Sequence, residues 1–461
     1  MIELDAAQKI LLFGLAWLGV LLVAVPATVS ARRGSVGLPI AFLLTMTLFH
    51  AGALVHLDPS YDHTRSAYLR SWTYTADTVA LGLETAWLGV AAFTLGLLAA
   101  NDTAPPLAAR PVQAPPALRR AAIACLALGA TATALSLSAW SSRLPGAAAA
   151  IAALQNLVIA GAAGWVVYFH AAGRSGRALA VAGAGALALP AFNLTSAAIL
   201  ADAAAAAIIV ACVLVALRPK RGSKLLRAYA LSGSILAIAL AGAIAWLDLR
   251  DGFRSVAWHG GSVGERSEQL FIGLGSIRLR NTDDHARHER LDARLNQNVA
   301  IGKAVEADRA HNGGFEGFAL IEAAALGWVP RAVWPDKPER GDTALLERHT
   351  GKRVLSDASF ATGPVFEFYV AAGYWGVGAG LFGFGYLLRR LDMVCAAWIG
   401  AGDLWRAAPP LLAAIPLVTY SNSLLFIVNL SAWSAAIGAG VAGAGLWAFA
   451  PGRRAAFARA A

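Results

Sequence analysis

Charge is what this 461-residue sequence has least of. Asp, Glu, Lys and Arg make up 14% of it, against about 25% in ordinary soluble domains, while hydrophobic residues make up 57%. That balance excludes a water-soluble globular chain. Cysteine is almost missing as well: Cys125, Cys212 and Cys395 are the only three, and each falls in or beside an apolar run. No disulfide framework is expected, and the three thiols read as small apolar packing residues. No D-x-D triplet occurs, Glu306-Ala-Asp308 being the nearest equivalent, which disfavours divalent-metal sugar-nucleotide chemistry. No histidine stands in a convincing metal-ligand context, so no metal site is expected. The start, MIELDAAQK, lacks the basic segment of a cleavable signal peptide, and the apolar stretch behind it is of full membrane length. No internal repeat is evident, which weighs against a transporter built from inverted halves.

What is present in abundance is apolar sequence in blocks of about 20 residues, the length a helix needs to cross about 30 Å of hydrocarbon. The mean hydropathy is +0.57. The pattern predicts an all-α polytopic membrane protein with eleven spans, at about 10–30, 36–56, 77–100, 119–139, 147–170, 178–192, 197–217, 228–248, 364–387, 407–426 and 431–450. The sixth and seventh are separated only by the break around Pro190, Asn193 and Thr195. Asp202 in the seventh is the one charge near that bundle, either a buried functional acid or an interfacial residue.

Orientation follows from the short loops, since Lys and Arg accumulate on the cytoplasmic side. One set of loops holds 18 Lys and Arg residues, among them Arg32, Arg119, Lys220 and Arg389, and the opposite set holds 4. The first set is assigned to the cytoplasm. The amino terminus then lies outside, the carboxyl terminus inside, and the net charge of +10 reflects topology rather than affinity for nucleic acid. The loop Asn101 to Arg120, rich in Pro and Ala, reads as a linker. The first external loop, from His56 to Asp77, mixes Tyr61, Tyr68, Trp72 and Tyr74 with Arg65 and Arg70; it reads as an interfacial aromatic belt or as a sugar-facing loop.

The chain divides into residues 1–249 (eight spans), an insert over 250–362 and residues 363–461 (three spans). The insert holds 16 of the 38 basic and 16 of the 28 acidic residues. It is where chemistry is expected. Leu291, Leu295 and Val299 recur at spacing four, predicting an amphipathic helix between His285 and Arg309 that lies on the bilayer surface or on the domain, with its charges mostly solvated. Further on, GWVPRAVWPDKPER brings Arg331, Lys337 and Arg340 within ten residues, braced by Pro330, Pro335 and Pro338 around Trp334. Proline stiffening presents these cations at little entropic cost, and arginine grips phosphate bidentately; local surface ion pairs with Asp336, Glu339 and Asp342 are the plainer alternative. Arg278 and Arg280 add two more cations. Where the chain re-enters the membrane, GPVFEFYVAAGYWGVGAG places Glu367 and Tyr369 one turn inside a helix. A carboxylate there is a candidate general base, as is His311, or else a structural hydrogen-bonding group.

The string VPRAVWPDKP, followed by Glu367, Tyr369, Gly373 and Gly376 in the pattern E-x-Y-x3-G-x2-G, resembles the Wzy-type O-antigen and exopolysaccharide repeat-unit polymerases. The many-helix layout with one large external loop near the carboxyl end is similar to that family and to the related O-antigen ligases. The resemblance implies a GT-C-like glycosyltransferase in the bacterial inner membrane that transfers glycan between undecaprenyl-diphosphate-linked oligosaccharides, donor and acceptor both. It implies no nucleotide sugar, no cofactor and no metal, and a chain-length regulator protein as a conceivable partner. It implies external-loop arginines at the diphosphate, carried over here to Arg331, Arg278 and Arg280; the residues themselves add Lys337 and Arg340 to that role, Tyr369 and Trp334 as further substrate contacts, and Glu367 or His311 as the catalytic base. A ligase passing finished glycan to lipid A core or to protein uses the same parts, and a lipid or polysaccharide flippase is the alternative from another class.

Overall fold

The computed structural model describes residues 4–29, 34–103, 115–137, 147–185, 206, 209–210, 213, 224–258, 261–276, 284–310, 314–329, 333–334, 342–353 and 362–448. Among them every regular element is helical. Seven helical segments are long and apolar enough to cross a membrane: Ala6–Val29, Leu38–Leu57, Ala76–Asn101, Pro116–Ser136, Ala150–Ala171, Gly363–Gly400 and Leu424–Gly445. The chain is therefore an all-α, multi-pass membrane protein, and these seven answer to seven of the eleven expected spans.

In chain order the helices are α1 (Ala6–Val29), α2 (Leu38–His50, continued by a 3-10 segment Ala51–Leu57), α3 (Ala76–Thr103), α4 (Pro115–Leu137), α5 (Ala147–Gln155) and α6 (Leu157–Ala171). After them come α7 (Lys224–Trp258), then the insert helices α8 (Val263–Ser276), α9 (Asp284–Leu295), α10 (Asn298–Arg309), α11 (Phe318–Ala325) and α12 (Asp342–Thr350). The last three are α13 (Gly363–Gly400), α14 (Leu404–Ala414) and α15 (Leu424–Ala448). The expected span 228–248 lies inside α7. Of 178–192 only the part up to 185 is described, as helix, and 197–217, with Asp202, lies almost wholly outside the described residues.

One expected span is corrected. Instead of a single helix over 407–426, α14 ends at Ala414, a 3-10 turn Pro416–Val418 follows, and α15 starts at Leu424. Pro409 and Pro410 are accommodated inside α14, whereas the break falls at Pro416, which lacks the N–H that a continuous helix needs, and the Val418 carbonyl beyond it accepts from Thr45 Oγ1 at 2.6 Å. At 11 residues, α14 alone is too short to span, and the turn and extended residues after it carry the chain back to Leu424, beside Glu367 at the start of α13.

The bundle is built around α3, which packs on α1, α10 and α13. Small residues set how closely. A methyl group on Gly96 would meet the Phe382 carbonyl at 2.0 Å, and one on Gly385 would meet the Phe93 carbonyl at 2.1 Å, so α3 and α13 touch backbone to backbone as small residues allow in membranes. The same device joins α3 to the insert: Gly82 abuts the Asn298 carbonyl and Gly302 the Thr78 carbonyl. The single amphipathic helix expected over His285–Arg309 is thus two helices, and the second lies on the domain rather than on a bilayer surface. It breaks at Asn296–Gln297, where the Gln297 N–H donates to the Phe49 carbonyl at 3.1 Å, and α10 is buried through Asn298, Val299, Ile301, Gly302 and Val305. Ala300, Gly302 and Ala304 have little side chain to signal burial, so the charges around them dominate the sequence pattern.

At the opposite end of α13, Arg389 and Asp392 are both fully buried and paired through Nη1 and Oδ2. Asp392 Oδ1 accepts from the N–H groups of Val36 and Leu38 at 3.0 and 3.1 Å. Arg389 Nε donates to Asn101 Oδ1 at 2.8 Å, and Asn101 Nδ2 to the Ala27 carbonyl at 3.0 Å. One ion pair so collects the ends of α1 and α3 and the start of α2; both carboxylate oxygens of Asp392 are engaged, while Arg389 Nη2 is buried with no hydrogen-bond partner among the described residues.

Candidate functional site

A helix of 38 residues is about 57 Å long at 1.5 Å per residue, nearly twice the hydrocarbon thickness. The amino-terminal turns of α13 therefore belong with the insert. Between the two parts the helix is broken: Ala372 has φ −156°, ψ 31° and Gly373 has φ 62°, ψ −149°. That second pair is a glycine-only conformation. A break frees backbone carbonyls, which must find partners near a membrane. The insert supplies them, since the Glu316 N–H donates to the Val370 carbonyl at 2.8 Å and the Gly317 N–H to the Ala371 carbonyl at 3.0 Å. Phe315 covers the break, and a methyl on Gly373 would sit 2.9 Å from its ring. A methyl on Gly376 would meet the Phe368 carbonyl at 2.1 Å.

Polar side chains gather at this junction. The Tyr369 hydroxyl donates to Asp308 Oδ2 at 3.2 Å, and Arg309 Nη2 to the Tyr374 hydroxyl at 3.4 Å. Glu316 Oε1 receives Arg348 Nη1 at 2.5 Å and His349 Nε2 at 2.9 Å. Partial burial would push the Glu316 carboxyl up, but the hydrogen bonds and charges of His349 and Arg348 outweigh it and hold the group below its ordinary value. Trp375, at 87% exposure, stands just past the break, where an indole suits the membrane–water boundary.

Glu367 is 2% exposed. Its Oε2 accepts from the Leu424 N–H at 2.7 Å and its Oε1 from Thr362 Oγ1 at 3.2 Å. Leu424 opens α15, so the carboxylate caps a helix start, where the aligned peptide dipoles favour a negative charge by about 1 kcal/mol and up to about 2 in buried geometries.

A second polar feature runs between the bundle and the first external loop. Asp292 is buried, and its Oδ2 accepts from the hydroxyls of Tyr61 at 2.8 Å and Tyr74 at 2.5 Å, with His56 Nε2 at 3.1 Å. Its Oδ1 accepts from Asn296 Nδ2 at 2.6 Å. Because a carboxylate only accepts, the orientation of each successive group follows. Asn296 Oδ1 accepts from Asn298 Nδ2 at 2.8 Å, Asn298 Oδ1 faces His50 Nδ1 at 2.6 Å, and His50 Nε2 faces the Tyr420 hydroxyl at 2.8 Å. His50 is thereby the Nδ1–H tautomer and Tyr420 donates to it. Two carboxamides interrupt the chain, so it orients groups without conducting protons. Burial would raise the Asp292 carboxyl, but the hydrogen bond and charge of His56, with Tyr74 and Asn296, hold it below the usual carboxylate range. The same burial, with the Asp292 charge, pushes both phenols up. Of the loop's aromatic residues, Trp72 and Tyr74 are buried and Tyr61 and Tyr74 are fastened to α9, so these three do not form an exposed interfacial belt; Tyr68 is exposed.

Of the residues singled out by sequence, Glu367 and Tyr369 come together on α13, and Trp334 is half-buried. Arg331, Arg278, Arg280, Lys337, Arg340 and His311 lie outside the described residues. Asp308, Glu316, Arg348 and His349 join the junction unforeseen; Asp308 stood in the nearest thing to a D-x-D triplet. Nothing in the pattern marked His50, Asn298 or Tyr420, which are polar singletons far apart in the chain. Among the described residues, no three His, Cys, Asp or Glu side chains are arranged to hold a metal ion.

Fold and junction together define a multi-pass helical membrane protein with a helical insert stitched into one broken span. The chain belongs to the family described as Domain of unknown function (DUF8712), whose model matches residues 54–408. That stretch holds the first external loop, the whole insert and all of α13. No curated protein and no solved structure matches the chain.

Proposed function

We propose that this protein is a GT-C-like glycosyltransferase that polymerises undecaprenyl-diphosphate-linked oligosaccharide repeat units at the periplasmic face of a bacterial inner membrane. On this reading the insert and the amino terminus face the periplasm and the carboxyl terminus faces the cytoplasm; α7, the two segments around 178–217 and the broken return from α14 to Leu424, which ends beside Glu367, bring the seven spans to eleven. The observation that carries it is the junction in α13. The motif behind the resemblance, Glu367, Tyr369, Gly373 and Gly376, is one physical unit there: cap, tether, break and close contact. A break that joins a polar insert to a span, with an exposed tryptophan beside it, suits a substrate whose lipid lies in the membrane and whose sugars lie in water.

The reaction makes three demands. The acceptor hydroxyl oxygen bonds to the anomeric carbon while the bond from that carbon to the diphosphate oxygen breaks. The lipid diphosphate leaves with the electron pair, and the hydroxyl proton passes to a base. Arg331, Lys337 and Arg340, with Arg278 and Arg280, are assigned to the departing diphosphate, where fixed cations stabilise developing charge. Of the two base candidates, His311 takes the proton, because a base must reach the acceptor hydroxyl and both Glu367 oxygens are engaged inside the protein. Glu367 is then a positioning residue that holds α13 to α15. Tyr369 and Trp334 border the sugars, and both lipid-borne substrates are held side by side, a gain in proximity.

The test is reconstitution. Purified protein in vesicles supplied with lipid-linked repeat units is expected to yield a ladder of longer lipid-linked chains. Absence of any ladder, or transfer only onto added lipid A core, overturns the polymerase reading.

A further inference from the structure

Among the described residues, two cations beside the first external loop have no carboxylate to neutralise them. Lys352 Nζ lies 5.9 Å from the ring centre of Tyr68 and 5.5 Å from that of Trp72, and it donates to Ser71 Oγ. Arg294 Cζ lies 6.0 Å from the centre of the same Tyr68 ring. Among the described residues neither side chain has an Asp or Glu oxygen within 4 Å, although ion pairs are made close by at Arg65–Asp62, Lys303–Glu306 and Arg348–Glu316. An aromatic face attracts a cation and fixes its place without cancelling its charge. Tyr68 is 42% exposed, so the pair is open to solvent.

The platform is held firmly from behind. Trp72 is buried, and Thr73 adopts φ 47°, a conformation rare for a β-branched residue and retained only where surroundings enforce it. The Thr73 carbonyl accepts from Lys303 Nζ of α10 at 3.3 Å, and the neighbouring Tyr74 is bonded to Asp292 of α9. Arg294 comes from α9 and Lys352 from the end of α12, so three separate parts of the chain converge here. Partial burial also holds the Lys352 ammonium below its usual value, because desolvation disfavours the charged form.

We propose that Arg294 and Lys352, set against Tyr68, form a binding station for the anionic group, carboxylate or phosphate, of a saccharide. That the anion is borne by a saccharide rests on the polymerase reading; that the station takes an anion does not. Arginine grips such a group with two parallel hydrogen bonds and lysine adds a point charge. The role is to hold the glycan away from the bond-forming site, and glycans without anionic groups are not retained.

The test uses full-length protein in phosphatidylcholine nanodiscs, titrated with trigalacturonate, neutral galactotriose and inorganic pyrophosphate, and followed by calorimetry and by tryptophan fluorescence. Trigalacturonate is expected to bind in a salt-sensitive way and galactotriose not to bind. Lys352→Gln and Arg294→Gln should each weaken it about tenfold, the loss of one hydrogen bond to a charged group, with unchanged melting temperature. Pyrophosphate binding that weakens in the same variants also supports the station and assigns it to phosphate. Equal binding of the neutral and anionic trisaccharides, or variants that bind like wild type, overturns it. Elongation by wild type alongside unaffected variants removes the station and leaves the polymerase; anion binding lost in the variants with no elongation by wild type does the reverse.

Discussion

The backbone N–H of Glu316 donates to the carbonyl of Val370 across 2.8 Å, so a loop of the insert completes the hydrogen bonding of a broken membrane helix. The break itself is made by Gly373. Gly373→Ala places a methyl 2.9 Å from the Phe315 ring in a conformation only glycine adopts comfortably, and should cost about 1–3 kcal/mol together with activity. Gly378→Ala, on the same helix with nothing within 4 Å of the added carbon, should stay within about 0.5 kcal/mol of wild type. Thermal melts of both variants in detergent check the pair; equal effects would remove the break from its role.

Asp292 predicts a pH dependence with a definite sign. Its folded carboxyl lies below the ordinary value, so its contribution to stability is complete above about pH 3.9 and is lost as pH falls through the lower folded value. The melting temperature of wild type should drop more steeply than that of Asp292→Asn as the pH is lowered from 4 toward 2.5. Parallel curves would show that the cluster with Tyr61 and Tyr74 does not depend on this charge.

Tyr420→Phe keeps the ring and removes the proton given to His50 Nε2. A buried acceptor left without a donor costs about 1–3 kcal/mol. Combined with His50→Gln, the cycle should return a coupling of about 0.5–3 kcal/mol, measured by denaturation in mixed micelles; additive losses would mean that the pair does not act as one unit.

Arg389→Met removes one partner of a fully buried pair and should destabilise by about 3–5 kcal/mol. Arg389→Met with Asp392→Leu should recover part of that loss in the same melts, because no uncompensated charge is left inside. Failure of the double variant to recover would assign the loss to the Asn101 and Ala27 contacts instead.

Arg331→Ala should abolish polymer while the protein remains in the membrane, read from glycan ladders and membrane immunoblots. Normal ladders would remove Arg331 from diphosphate binding.

Much of the architecture was legible because apolar length leaves few alternatives in a membrane: α1, α2, α3 and α4 fall within a few residues of their expected limits. Reading failed where burial came without hydrophobicity. α10 is concealed by Ala300, Gly302 and Ala304, whose small side chains exist to let it approach α3. The 407–426 segment misled for the converse reason: it is apolar enough for one helix, but the helix stops at Ala414, just ahead of Pro416. At the junction, Glu367 and Tyr369 were found from their motif. Glu316, His349, His50 and Tyr420 were not, because their partners stand 33 to 370 residues away in the chain and periodicity carries no information over such separations.

The Arg389–Asp392 pair has a consequence for biogenesis. The first backbone donors of α2 rest on a carboxylate about 350 positions later in the sequence. During synthesis, at roughly 5–20 residues per second, the early helices must wait for α13 to arrive with those groups unfulfilled. Docking of α1, α2 and α3 at this end is thus completed only once α13 has been threaded into place.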